Sequence, residues 1–233
     1  MKFSFLDNSF YRMIKLIQGV GKASIPRALQ NELIKTETIK GKVLDYGGGE
    51  KSSYVSYIQC EEIVSINIKK DLSPTHIIEI GDPIPLADSK FDNIICFNTL
   101  EHIFEPEYII QEFARVLKDK GKLYLTTPFM MRIHANPDDY FRPTPSWYKK
   151  VLLKNSFSNI EVYPLLWGPF STAYFSGNMP GPFKIFFLRV FIIIDYIYIK
   201  IRNFKNKEIS EHHYSNPLAY FVIAQKQAQQ PDS

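Results

Sequence analysis

Apolar runs with the spacing of strands alternate with helical patterns from Gly41 onwards. The runs are short and rich in β-branched and aromatic residues, which is typical of strands. The predicted strands are Val43–Tyr46, Ile63–Ile68, Ile77–Ile80, Phe91–Phe97, Lys122–Thr127, Ile160–Tyr163 and Ala219–Ala224. Helices are predicted at Glu107–Leu117 and at Pro145–Leu153, the second with Pro in its first turn. Strands that alternate with helices indicate an α/β fold with a mostly parallel sheet.

The regions that flank these strands have a different pattern. Residues 1–38 carry apolar residues three and four positions apart, which predicts an amphipathic N-terminal helical extension, divided at Pro26. The apolar positions are Phe10, Met13, Ile14, Ile17, Leu29, Leu33 and Ile34. The predicted main domain covers residues 39–226, with an aromatic and basic insertion at about 165–215. The polar tail, residues 227–233, is predicted to be flexible.

The insertion contains the unusual stretch Phe183–Ile201, FKIFFLRVFIIIDYIYIKI. Its apolar residues favour membrane insertion by roughly −6 kcal/mol, but Arg189 and Asp195 nearly cancel this at up to about +3 kcal/mol each. The stretch is also short for a membrane span. It predicts a helix that covers the sheet or forms a dimer interface, a helix lying on an anionic membrane surface, or a strand, because Tyr and Ile alternate after Asp195. Peripheral membrane contact through residues 183–204 is therefore one expected interaction.

Composition narrows the class of protein. The 233 residues are 45% hydrophobic and 22% charged, as in globular proteins, and the net charge of +4 is too weak to indicate nucleic acid as a partner. Cys60 and Cys96 have neither the spacing of metal ligands nor that of a disulfide framework. Asp7, Asn8 and Ser9 interrupt the N-terminus, so no secretory signal is predicted. The expected location is the cytoplasm or the inner face of the membrane.

The segment Asp45–Gly49 ends the first predicted strand with a carboxylate and three glycines. Glycines allow the backbone to approach a ligand closely, and a helix start offers free N–H groups. A phosphate-binding P-loop is excluded, because Asp45 and Glu50 occupy the positions of its two required glycines. The dinucleotide-binding motif is incomplete, because Ser52 stands at its third glycine. A site for another cofactor and a glycine turn without a ligand both stay open.

Polar side chains follow several predicted strands where a sheet of this kind binds ligands. Ligands of open α/β sheets bind beyond the carboxyl ends of the strands. The residues that end the first five strands are Asp45, Asn67, Asp82, Asn98 and Thr127. We therefore expect these five side chains to converge on one cleft.

Five motifs follow one another in a particular order and spacing. They are Asp45-x-Gly47-x-Gly49, Gly81-Asp82-x-x-Pro85-Leu86, Phe91–Ile95, Leu100–Ile103 and the segment from Glu112-x-x-Arg115 to Gly121-x-Leu123. Together they resemble the class I S-adenosylmethionine (SAM)-dependent methyltransferases, specifically the small methyltransferase-domain family, over about residues 40–165. The resemblance implies a Rossmann-like seven-stranded sheet in the order 3-2-1-4-5-7-6, with an antiparallel seventh strand and helices on both faces. It also implies methyltransferase activity with SAM as cofactor.

The resemblance further implies which residues bind SAM. They are Asp45, Gly47, Gly48, Gly49, Asn67, Asp82 and Asn98. The glycines would lie close to the aminoacyl part of SAM and Asp45 would meet its ammonium group. Asn67 would bind the ribose hydroxyls, Asp82 the adenine amino group and Asn98 the methionine portion. Because Lys51 replaces the family's usual third glycine and Asn67 its usual acidic residue, weaker cofactor binding is expected.

Methyl transfer to an oxygen benefits from a base beside the acceptor, and histidine is the usual candidate near neutral pH. His134 lies in the loop after the fifth predicted strand and is the predicted base, with Asp139 orienting it or the acceptor. His102, next to Glu101 after the fourth strand, is a second candidate, although this pair can instead cap the next segment. No metal-ligand set is predicted.

The loop from His134 to Thr144 combines His, Asp, Arg and aromatic residues, which suits a sugar or another polar acceptor. It is similar to loops of methyltransferases in bacterial surface-polysaccharide pathways, which implies O-methylation of a sugar or glycolipid precursor. Two alternatives stay open. One is methylation of a small apolar or lipid acceptor, and the other is a methyltransferase-like binding or scaffold domain with weak or no cofactor binding.

Overall fold

The computed structural model describes residues 1–4, 6–135, 137–178, 181–205 and 216–228, with the backbone alone for 203–205. Residues 206–215 of the predicted insertion and residues 229–233 of the predicted tail lie outside the described residues.

A mixed β-sheet forms the centre of the described structure. Its strands are β1 (Lys2–Phe3), β2 (Lys42–Tyr46), β3 (Glu62–Asn67), β4 (His76–Ile77), β5 (Phe91–Phe97), β6 (Leu117–Pro128), β7 (Phe157–Leu165) and β8 (Ala219–Lys226). They lie in the order β1-β7-β8-β6-β5-β2-β3-β4. Strand β8 runs antiparallel to β6 and β7, and the other neighbouring pairs are parallel.

The predicted seven-stranded sheet is wrong in strand count and therefore in total order, because β1 adds an eighth strand beside β7. Lys2 pairs with Glu161 and Phe3 with Val162. The remaining strands lie in the expected relative order, β4-β3-β2-β5-β6-β8-β7. A two-residue strand is too short to show the alternation that identifies strands in a sequence. The N-terminal segment, expected to be helical, thus begins with a strand.

Six helices connect and cover the strands of the described structure. They are α1 (Phe10–Gly19), α2 (Ile25–Thr36), α3 (Pro106–Val116), α4 (Pro145–Lys154), α5 (Pro169–Ser176) and α6 (Lys184–Lys205). Ser9, Ser24 and Thr144 cap α1, α2 and α4, and each side chain accepts a hydrogen bond from the backbone N–H three residues later. These caps satisfy backbone donors that would otherwise have no partner at the helix start.

Apolar cores lie on both faces of the sheet. Leu44 and Ile94 belong to one core, with α3 and α4, whereas Val43 and Ile95 belong to the other, with α1, α2 and α6. Successive strand residues point to opposite faces, so the nearly continuous apolar run of β5 supplies both cores. This places β5 at the centre of the sheet, as its sequence predicts.

The interpretation of residues 183–201 as a strand is wrong, because the segment forms α6. Its buried residues Leu188, Ile192, Asp195 and Ile199 are three and four positions apart, so a single face packs on the protein. The Asp195 carboxylate accepts hydrogen bonds from the backbone N–H groups of Phe170 and Ser171 at the start of α5. Within the described ranges, no helix has both the length and the apolar content that crossing a membrane requires.

Candidate active-site cleft at the carboxyl ends of the strands

A cavity of about 490 Å³ opens at the carboxyl ends of β2, β3 and β5. This volume lies in the range of roughly 300–1,000 Å³ that small-molecule sites occupy. Of the predicted site residues, Gly47, Asn67, Asn98, His102 and His134 line the cavity, whereas Asp45, Gly48, Gly49, Asp82 and Asp139 lie outside its wall. Thr127, expected to converge here, is buried and hydrogen-bonds the Tyr148 hydroxyl instead.

The turn after β2 brings bare backbone to the cavity. Gly47 has φ +90°, and a Cβ atom there would lie 2.0 Å from the Thr99 Oγ1 atom. At Gly49 a Cβ atom would lie 2.3 Å from the carbonyl oxygen of Leu72. Only glycine satisfies both the left-handed conformation and the close packing at position 47. The sequence motif therefore has a structural requirement as well as a ligand-binding interpretation.

Asp45 supports this turn from below. Its buried carboxylate accepts a hydrogen bond from the Tyr54 hydroxyl at 2.7 Å through Oδ1. The other oxygen, Oδ2, has no hydrogen-bond partner within the described ranges. Burial raises the pKa of Asp45 to about 7. The glycine turn lies directly against this oxygen, since a Cβ atom at Gly48 would lie 2.0 Å from Oδ2.

Asn67 and Lys51, the two departures from the family pattern, hold the loop in place. The Asn67 side-chain amide donates to the carbonyl oxygens of Gly47 at 2.7 Å and Gly48 at 3.1 Å. Its Oδ1 atom accepts from the Lys69 backbone N–H at 3.0 Å. An aspartate could not donate these two bonds. Lys51 Nζ donates to the carbonyl oxygen of Asp71 at 2.9 Å, which ties the loop to the segment after β3.

Asp82, predicted to bind adenine, is exposed and does not reach the cavity. The neighbouring residues Ile78, Glu79 and Ile80 form this part of the wall instead. The strand β4, predicted as Ile77–Ile80, ends at Ile77, and the chain then continues along the cavity before it reaches Asp82. The role of Asp82 in binding adenine therefore stays a prediction, without a supporting contact among the described residues.

The helix α2 contributes residues that the sequence patterns did not indicate. Asn98, in a left-handed conformation with φ 51°, donates from its amide to Oε1 of Gln30 at 3.2 Å. Gln30 is buried, and Arg27, one turn earlier on α2, also lines the cavity. The sequence signal that could have indicated Gln30 is its position next to the apolar row of Leu29 and Leu33. The N-terminal helix α2 thus forms part of the site.

A buried carboxylate lies between the two candidate histidines. Nε2 of His102 and Nε2 of His134 are each 3.7 Å from Oε1 of Glu101. The two imidazole rings meet edge to face with centroids 5.4 Å apart. Glu101 is fully buried, and neither carboxylate oxygen has a hydrogen-bond partner in the described part of the chain. Burial raises its pKa to about 8.

Asp139 fixes His134 from the opposite side of the ring. Its Oδ2 atom accepts from the His134 backbone N–H at 2.9 Å and lies 3.4 Å from the ring atom Nδ1. Nδ1 also lies 3.2 Å from the carbonyl oxygen of Arg132. The Arg142 guanidinium hydrogen-bonds Asp139 and lowers its pKa to about 2. Asp139 is therefore an ionised partner that orients the imidazole, although it does not line the cavity.

The three side chains of Glu101, His102 and His134 also satisfy the geometry of a metal site, since their ligand atoms lie within 4.8 Å of one another. Two imidazoles and a carboxylate suit divalent transition metals. The sequence did not predict this set because His134 lies in a different loop from Glu101. The two histidines of this set line the same cavity as Gly47 of the glycine turn.

Replacing Glu101 by Gln is expected to flatten the pH dependence of stability. Burial raises the Glu101 pKa from its ordinary 4.5 to about 8, so the folded state keeps a proton that the unfolded chain releases. The free energy of unfolding therefore falls by up to about 1.4 kcal/mol per pH unit between these values, and levels off above them. Gln cannot ionise, so urea unfolding should show that the variant gains stability relative to wild type as pH rises.

The raised pKa of Asp45 causes a similar decline in the free energy of unfolding up to about pH 7, and the Glu101→Gln variant retains this decline. The matched control is Glu112→Gln, because Arg115 lowers the pKa of Glu112. That carboxylate stabilises the fold above its ordinary pKa, so its loss should cost stability at neutral pH. Equal pH dependence of Glu101→Gln and wild type would contradict the prediction.

The sequence around this cleft matches a known family. Residues 44–125 match the family described as a methyltransferase domain. This segment runs from β2 into β6 and contains the glycine turn, Asn67, Asn98 and the Glu101–His102 pair. No protein of curated function matches the chain. The match supports the resemblance to the methyltransferase-domain family over this segment, whereas the similarity to polysaccharide-pathway enzymes stays a prediction.

Solved structures share the fold at low sequence identity. A chain from a Haloferax volcanii complex with a methyltransferase activator has a TM-score of 0.58 and 12% identity, covering 96% of this chain and 98% of that chain. A SAM-dependent methyltransferase from Archaeoglobus fulgidus has a TM-score of 0.54 and 16% identity, covering 94% and 100%. Phosphoethanolamine N-methyltransferase 2 of Haemonchus contortus, in complex with SAM, has a TM-score of 0.52 and 14% identity, covering 86% and 53%. The fold is that of Rossmann-like methyltransferases.

Proposed function

We propose that this protein is a SAM-dependent methyltransferase that methylates an oxygen of a sugar or glycolipid precursor. The observation that carries the proposal is the placement of His134, with Asp139 and Glu101 on either side of its ring, at the cavity that the glycine turn borders. A fold of this kind hosts different chemistries, so the residues of the site must support the reaction.

The site fits SAM in two respects. The turn backbone at Gly47 forms a wall that a Cβ atom would disrupt, and the polar residues Asn67 and Asn98 line the same cavity. Gly47, Asn98 and the backbone beside Asn67 would hold the cofactor, with Asp45 below the turn. SAM supplies a methyl group that is already activated for displacement. The chain's own residues therefore mainly have to orient the acceptor and take its proton.

His134 is the proposed base that takes that proton. Its ring lines the cavity, and Nδ1 is held by the Arg132 carbonyl and the Asp139 carboxylate, so the proposed proton acceptor is Nε2, which lies 3.7 Å from Oε1 of the buried Glu101. Asp139 is ionised and stabilises the imidazolium that forms, as an orienting carboxylate does in hydrolytic triads. His102 packs edge to face on the same ring and limits its rotation.

Exposed aromatic and polar side chains next to Glu101 and His134 suit a sugar. Phe104 and Tyr140 are exposed and form an edge-to-face pair with ring centroids 5.5 Å apart. The Tyr140 backbone N–H donates to the Glu101 carbonyl oxygen, so this pair is attached to the catalytic cluster. Exposed aromatic rings bind the apolar face of a sugar, while Arg132 and Asp138 offer polar partners for its hydroxyls.

Cofactor binding is expected to be measurable by isothermal titration calorimetry. The chain should bind SAM, and Asn67→Ala should weaken the binding, because the amide bonds that hold the carbonyl groups of Gly47 and Gly48 are lost. Lys154→Ala, at the exposed end of α4, is the control and should bind as wild type does. Absence of heat at millimolar SAM would favour the alternative, a binding or scaffold domain.

The acceptor class is tested by a screen with labelled SAM against nucleotide sugars, glycolipids and small phenols. Label in the first two groups supports the proposal, whereas label in phenols alone supports a small apolar acceptor instead.

We expect the cytoplasm or the inner membrane face as the location. The predicted membrane contact of residues 183–204 depends on a different surface, which α6 forms.

A further inference from the structure

The helix α6 has a second apolar face that the rest of the described protein does not cover. Opposite its buried residues, a row of large apolar side chains is exposed along the helix. The row consists of Phe186, Ile193, Ile194, Ile197 and Ile201. The exposed fractions of Phe186, Ile197 and Ile201 are 60%, 51% and 56%. Single exposed apolar residues are ordinary on a protein surface, but a continuous row over about 22 Å of helix is not.

Basic and aromatic side chains border this row. Arg189 and Lys200 are exposed and, at 100° per residue, lie along one side of it. On the same side, Phe10 at the start of α1 packs edge to face against Tyr196. The neighbouring Tyr11 is exposed. Aromatic rings beside Lys and Arg are typical of helices that lie in the interface of a membrane.

The charges distinguish a membrane from a second copy of the chain. The acidic residue of α6, Asp195, is buried against the start of α5. Within the described residues, no ion pair involves Arg189 or Lys200. Two copies paired through α6 would bring these like charges to one interface without an acidic partner from the helix. An anionic lipid surface supplies that partner and accepts the apolar row.

We propose that the exposed face of α6, together with Phe10 and Tyr11, binds the surface of an anionic lipid bilayer. The helix lies in the plane of the interface, with its apolar row in the acyl boundary and Arg189 and Lys200 at the phosphates. The face that carries Leu188 and Ile192 stays packed against α1 and α5. On the side of Tyr196 and Arg189, α6 also reaches the linker before α2, since a Cβ atom at Gly21 would lie 3.3 Å from Cδ1 of Ile185.

The test is flotation of the full chain with vesicles rich in phosphatidylglycerol and with vesicles of phosphatidylcholine alone. The wild type should float with the anionic vesicles and bind more weakly as salt increases. The triple variant Phe186→Ser, Ile193→Gln, Ile197→Gln should lower the partition coefficient about 100-fold, because three apolar side chains lose their burial. Arg189→Glu with Lys200→Glu should lower it by about tenfold or more.

Matched controls lie on α4, which packs on the other face of the sheet. Leu153 is 50% exposed there, and Leu153→Gln should bind vesicles as wild type does. Lys149→Glu with Lys150→Glu, both exposed, is the control for charge reversal. Retained SAM binding and thermal unfolding show that the α6 variants are folded, so failure of this proposal is distinguishable from failure of the proposed function.

Two outcomes would overturn the proposal. The first is that wild type does not float with anionic vesicles, or that α6 variants and α4 controls behave alike. The second is that light scattering finds a dimer which the triple variant converts to monomers while vesicle binding is unchanged. That result would assign the apolar row to a second copy of the chain.

Discussion

Replacing His134 by Ala is expected to lower turnover about 10²–10⁴-fold, the usual contribution of a general base. The imidazole is the one group in the described cleft that combines access to the cavity with an ionised orienting partner, Asp139. Its loss leaves the glycine turn and the Asn98–Gln30 contact in place. The SAM dissociation constant, measured by calorimetry, should therefore stay within a few-fold of wild type while methyl transfer from labelled SAM is lost.

The matched control is His76→Ala. His76 lies on the edge strand β4 and does not line the cavity, so the substitution removes a histidine without changing the site. Asp139→Asn should lower turnover as well, because the negative charge that stabilises the imidazolium is gone. Turnover of His134→Ala within a few-fold of wild type would reject His134 as the base.

Replacing Gly47 by Ala is expected to destabilise the fold and to abolish measurable SAM binding. An L residue at φ +90° costs about 1–2 kcal/mol, and forcing a methyl group against Thr99 costs about 1–3 kcal/mol more. The free energy of unfolding from urea titration should fall by about 2–5 kcal/mol. Since the turn backbone is the wall of the cavity, its displacement also removes the surface on which the cofactor would lie.

The variant Gly81→Ala separates the cost of the left-handed conformation from the cost of close packing. Gly81 has φ +88°, nearly the same as Gly47, but no atom lies within 4 Å of the position its Cβ would take. This control should lose only the conformational part, about 1–2 kcal/mol, and should keep SAM binding. The double variant Gly47→Ala, Thr99→Gly should recover part of the loss. Equal destabilisation by the two alanine variants would show that close packing at Gly47 is unimportant.

The local pattern determined the elements of the domain. Apolar runs and Pro or Ser starts depend on neighbouring residues, so the strands from Val43 onwards, the helices after Pro106 and at Pro145, and the central place of β5 were all predictable. The ends of the strands were less predictable from the sequence. The strand β4 ends at Ile77, and the chain then leaves the sheet to line the cavity, so Asp82 lies away from the site.

Residues far apart in sequence decided the site. The Glu101–His102 pair and His134 meet because the loop after β6 folds back, and Gln30 reaches Asn98 because α2 packs over the ends of the strands. Asn67 shows most clearly what the sequence alone could not predict. The sequence showed an amide where an acid was expected, but only the structure shows that this amide holds two carbonyl groups of the glycine turn.

The sequence by itself determined a methyltransferase-type α/β sheet, the glycine turn and two candidate histidines, because these depend on periodicity and on short motifs. The tertiary structure decided which polar residues share a cavity, that Glu101 is buried between the histidines, and that α6 is a helix with two apolar faces. One face of α6 is covered because it packs against α1 and α5. The other is exposed because no described segment reaches it, and composition alone cannot distinguish these two environments.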